Sequence, residues 1–89
     1  MPRVSEFYGI VIWMYHDETH HQGRPHFHAS YGDDEASIDN DTLDVIAGEL
    51  PRRALRLIAE WAEAHQAELH ENWGRARRHE PLEAIEPLR

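Results

Sequence analysis

Apolar residues recur along this chain at two spacings, first every second residue and then every third or fourth. Phe7-Tyr8-Gly9-Ile10-Val11-Ile12-Trp13-Met14-Tyr15 is rich in β-branched and aromatic residues and apolar on both alternating faces. It predicts one strand buried wholly or partly on both sides. His16 to Arg24 is polar and reads as a loop. Pro25 suits a strand's first position. His26 to Tyr31 then alternates, with Phe27, Ala29 and Tyr31 on one face and His26 and His28 on the other. Gly32-Asp33-Asp34 signals a turn, Glu35 to Asp39 alternates around Ala36 and Ile38, and Leu43 to Ala47 forms a last short strand with Leu43, Val45 and Ala47 aligned.

Past Gly48-Glu49-Leu50-Pro51 the period changes. Ala54, Ile58, Trp61, His65, Leu69, Asn72 and Ala76 follow helical steps, and Leu55, Leu57, Ala62 and Trp73 widen the stripe. This predicts one long helix that opens at Pro51 and ends near Gly74 to Arg78. Leu82, Ile85 and Leu88, between Pro81 and Pro87, predict a tail docked on the body. The fold class is α+β, a single domain over residues 1–89: an antiparallel meander of about four short strands, one long C-terminal helix and the tail. One helix covers one face of such a sheet. Part of the two-sided first strand should then stay open, and an open aromatic patch marks an interface, so a dimer or a dedicated partner is expected. Tyr8, Trp13 and Tyr15, with Arg52 and Arg56, are the candidate binding surface.

Composition narrows the classes. With 89 residues the chain holds one modest core. There is no cysteine, hence no disulfide framework and no thiolate metal site. The first residues lack a signal-peptide pattern, and the longest apolar run is far too short to span a membrane, so a cytoplasmic protein without membrane association is expected. Net charge is −8 and lysine is absent, which argues against broad nucleic-acid binding. The charge is uneven, however. Asp33 to Glu49 is acidic without a single basic residue, and Arg52, Arg53 and Arg56 follow at once.

Three constellations could carry chemistry. His26 and His28 share a strand face, and His16, His20 and His21 lie upstream. Such a pair can pack at an interface, move protons as general acid and base, or ligate a metal if His20 or His21 adds a third ligand. The arginines at the helix start oppose the helix dipole. Either Asp39, Asp41, Asp44 or Glu49 pairs with them, or they hold an anion such as an RNA phosphate beside free backbone N–H groups. His26, His28 and Arg53 are the catalytic candidates, with no metal and no cofactor assigned. Along the helix, Trp61 and His65 read as packed core, Glu68 and Glu71 as solvated face, and Asn72-Trp73 as a cap that packs. Glycine-loop, nucleophile-elbow and helical zinc motifs are absent from the sequence.

Phe7-Tyr8-Gly9-Ile10, Met14-Tyr15, Pro25-His26-Phe27-His28-Ala29, Tyr31-Gly32, Gly48-Glu49-Leu50-Pro51, Ala54, Glu60-Trp61, Asn72-Trp73 and Ile85-Glu86-Pro87-Leu88 closely resemble, in order and spacing, a small prokaryotic family known as domain of unknown function 4160. The resemblance runs from about Phe7 to Leu88. It implies a compact α+β domain, often encoded beside another small gene, with some members regarded as toxins of toxin–antitoxin pairs. It assigns no catalytic residue, although the His-Phe-His segment and the helix-start arginine belong to its pattern. Family members usually carry a shorter loop ending in two prolines; here Arg24 stands where the first is expected, and the loop histidines look peculiar to this chain. The functional expectation is a toxin-type component of a two-gene module acting on RNA or translation. Its rivals are a non-enzymatic domain that binds a small cognate protein through its open sheet face, and a small histidine-ligated metalloprotein.

Overall fold

The computed structural model describes residues 3–15 and 24–89. Five strands pair in sequence order as an antiparallel meander: β1 (Arg3–Phe7), β2 (Ile10–Trp13), β3 (His26–Tyr31), β4 (Asp34–Asp39) and β5 (Val45–Glu49). Two helices follow, α1 (Arg52–Ala64) and α2 (Gln66–Arg77). The α+β class and the meander stand. The strand count and the single helix need correction, and each has a local cause.

The apolar run Phe7 to Tyr15 is a hairpin corner, not one strand. Tyr8 and Gly9 take φ values of 49° and 82°, and Phe7 pairs with Ile10 across them. Two consecutive positive φ values are what a two-residue hairpin turn of type I′ requires. Gly9 adopts this without strain, whereas a bulky tyrosine there is an outlier. At β5, the expected Leu43–Ala47 strand starts later. The Asp39 carboxylate accepts the N–H groups of Asp41 (2.7 Å) and Thr42 (2.8 Å), and Leu43 takes φ 65°. Register slips between Ser37 and Ile38, which pair with Ala47 and Val45, so the alignment of Leu43, Val45 and Ala47 is broken.

The helix breaks at His65 (φ −129°, ψ 26°), whose N–H donates to the carbonyl of Ala62 at 3.0 Å. Just past the break, Gln66 Nε2 donates to the carbonyls of Asn40 and Asp41, both at 3.1 Å, and His70 Nε2 meets Asp41 Oδ1 at 2.7 Å. These bonds staple the start of α2 to the turn between β4 and β5.

The core lies between the sheet and the helices. Ile10, Ile12, Phe27, Ala29, Ile38, Ile58, Trp61 and Leu69 are all buried there. Trp61 packs on Phe7 and Phe27, with ring centroids 5.3 and 6.1 Å away, and its Nε1–H donates to the carbonyl of Glu86 at 2.8 Å. The tail docks as expected. Ile85 is buried and its N–H donates to the carbonyl of Val4 at 2.8 Å, which covers part of the free edge of β1. Asn72 clamps the same segment. Its Nδ2 donates to the carbonyl of Glu83 at 2.9 Å and its Oδ1 accepts the N–H of Glu83 at 2.8 Å. Among the described residues no helix is long and apolar enough to cross a membrane.

Candidate functional site

Strand alternation puts Phe27 and Ala29 in the core and sends His26 and His28 to the opposite face, as the sequence predicts. That face is not open around them. His28 stacks on Trp13 with centroids 5.5 Å apart and planes at 17°, Tyr15 meets it edge-on at 4.9 Å, and His26 lies 5.1 Å away. Trp13 and His28 are cross-strand partners, as are His28 and Ser37. Ser37 Oγ and His28 Nδ1 share a hydrogen bond of 3.2 Å. From α2, Trp73 closes the cluster 5.1 Å from His26. His26 is 1% exposed and His28 8%.

His26 Nδ1 lies 2.6 Å from the carbonyl oxygen of Arg24. A carbonyl only accepts, so Nδ1 carries the proton of this hydrogen bond. Arg24 also donates through Nε to the Asp39 carboxylate, and Asp39 is the cross-strand partner of His26. Burial is the largest single influence on Asp39 and would raise its pKa. The N–H of Thr42, the Arg24 guanidinium and the N–H of Asp41 together outweigh it and hold the carboxyl below the usual carboxylate range.

The remaining candidates lie elsewhere. Arg53 lines a small cleft with Tyr8, Tyr31, Ala54 and Leu57. Tyr31 is at the far end of β3, roughly 10 Å along the strand from His28 and on the opposite face. The fold therefore does not bring Arg53 to the histidines. Arg52 and Arg56 border a separate groove between α1 and β5. Trp13, expected on an exposed surface, is 2% exposed because the β3 histidine and Tyr15 pack against it, whereas Tyr8 and Tyr15 are exposed at 58% and 39%. The expected carboxylate partners of the helix-start arginines are engaged in part elsewhere: Asp39 pairs with Arg24 and Asp41 with His70. Among the described residues Arg52, Arg53 and Arg56 form no ion pair. His16 and the two expected sources of a third metal ligand, His20 and His21, lie outside the described residues. Among those described, no three metal-ligating side chains converge.

Sequence reasoning missed Arg24, Ser37, Asp39 and Trp73 as members of the cluster. Ser37 and Asp39 could have been found by pairing β3 with β4 across the Gly32-Asp33 turn. Trp73 carried no such signal.

The sequence model of the family described as domain of unknown function (DUF4160) matches residues 9–74, which span β2 to α2 and hold the whole cluster. The chain belongs to this family. Neither a curated protein nor a solved structure matches it. The family segment contains the His-Phe-His strand, its partners Trp13, Ser37 and Trp73, and the three helix-start arginines. The tail that covers part of the β1 edge lies beyond it.

Proposed function

We propose that this domain acts by binding a small cognate protein, encoded beside it, within a two-gene module of toxin–antitoxin type. The supporting observation is that His26 and His28 are 1% and 8% exposed and built into an aromatic cluster. A general acid or base must come within hydrogen-bond reach of the proton it moves, and imidazoles packed under Tyr15 and against Trp73 serve rigidity first. Exposed Tyr8, Tyr15, Tyr31 and Val45 supply apolar surface for a partner. The test is co-expression with the product of the adjacent gene. A stable complex on size-exclusion chromatography is expected; a monodisperse monomer indifferent to that protein would remove this reading.

One observation favours a second reading, a toxin-type effector acting on RNA or the translation machinery. Arg52, Arg53 and Arg56 all lie in the first turns of α1, which has no acidic residue in its first turn, and arginines beside a helix start suit phosphate. Under this reading, induced expression arrests growth and Arg53→Ala relieves the arrest with the protein still folded. Normal growth at high levels of folded, partner-free protein would end it.

A further inference from the structure

The two edges of the sheet are treated differently. Ile85 hydrogen-bonds to β1 at one edge, while among the described residues nothing pairs with the outer side of β5. Val45, Ala47, Gly48 and Glu49 are exposed there. Beside that edge runs a groove of about 500 Å³ between β5 and α1, floored by Ile38, Leu43, Val45 and Leu55 and rimmed by two arginines, Arg52 and Arg56, and one carboxylate, Asp44. That volume is on the scale of a ligand-binding cleft. Val45 opposes the core residue Ile38 and therefore faces the groove.

We propose that β5 accepts an extended segment of a protein partner by strand addition, with apolar side chains entering the groove and one acidic side chain held by Arg52 and Arg56. The inference rests on the partner-binding reading and specifies its surface and chemistry. An added strand would bond to the open backbone groups of β5 and send every second side chain to the helix side, into the groove. The two guanidiniums have no ion pair among the described residues and suit a carboxylate. A second copy of this chain fits poorly. Antiparallel self-pairing centred between Ile46 and Ala47 would set Asp44 against Glu49 twice, and like charges directly opposed destabilise a strand pair. The apolar floor suits apolar side chains better than a nucleic-acid backbone.

The probe is a short synthetic peptide alternating leucine and threonine, with one groove-side leucine replaced by glutamate. Its controls are the same peptide with lysine at that position and a version N-methylated on the pairing edge. Titration of labelled protein should shift and protect the amides of residues 45–49. The lysine peptide should bind roughly tenfold more weakly or worse, the scale of one close charge pair, and the N-methylated one not at all. Arg52→Glu with Arg56→Glu should reverse the glutamate-over-lysine preference, a reversal that misfolding cannot produce. Equal binding of all three peptides, no binding, or shifts confined to the Tyr15–His28 face would overturn the proposal, as would a short single-stranded RNA binding at these arginines in preference to the peptide. If the adjacent gene product forms a complex that survives the double charge swap and leaves the β5 amides unprotected, the surface is wrong while partner binding stands. Peptide binding without any complex with that product would instead fail the cognate-partner reading alone.

Discussion

At Asp39 three donors converge on one buried carboxylate: Arg24, the N–H of Asp41 and the N–H of Thr42. They lower its pKa against the opposing effect of burial. A carboxyl whose folded pKa lies below its unfolded value of about 3.9 adds stability above that value and loses it as pH falls through the folded one. Asp39→Asn should therefore be less stable than wild type at neutral pH, and its stability should fall less between about pH 4 and pH 2. Urea midpoints measured across that range check this; parallel curves would show that Asp39 is not held down as described. Asn72 is a second such residue, fully buried with both amide atoms bonded to Glu83. Asn72→Ala should cost about 1–3 kcal/mol through the loss of its two hydrogen bonds to the Glu83 backbone, each worth about 0.5–1.5 kcal/mol, seen as a lower urea midpoint with an unchanged slope. At this scale the sequence was legible where neighbours decide. Alternation alone puts His26 and His28 on one face. It could not show that Trp73 comes to meet them, because that contact depends on how α2 leaves α1.

Among the elements, legibility followed the strength of the local signal. β3 and β4 were readable because each alternates cleanly and a glycine turn separates them. The β1–β2 hairpin was hidden because Phe7 to Tyr15 is apolar on both faces and its turn uses Tyr8 where asparagine or aspartate would announce it. The break at His65 was hidden because the apolar stripe keeps its phase from Trp61 to Leu69, and the polar staple to Asn40 and Asp41 comes from distant residues. β5 depends on one glycine. Gly48 sits at φ 77°, and a Cβ there would lie 2.2 Å from the carbonyl oxygen of Glu35. Gly48→Ala should thus pull β5 off β4, with a cost of at least about 1–3 kcal/mol from backbone strain alone. Hydrogen exchange should accelerate over residues 45–49 well before it does over β2 and β3. Unchanged protection of β5 would contradict the clash.

For the molecule as a whole, the tail closes the core. Ile85 is buried, Trp61 donates to the carbonyl of Glu86, and Asn72 holds Glu83. Ile85→Ala should cost about 2–5 kcal/mol, as removal of a buried isoleucine side chain does. Thermal unfolding should stay a single transition at a lower temperature, because tail and helices share one core. A separate early transition would mean that the tail is an appendage. The same segment limits assembly. With part of the β1 edge covered by its own chain, β5 is the more open edge among the described residues, so a copy does not offer two equally free edges. Strand addition at β5 then favours a complex of fixed stoichiometry over the fibre into which a sheet open on both sides could continue.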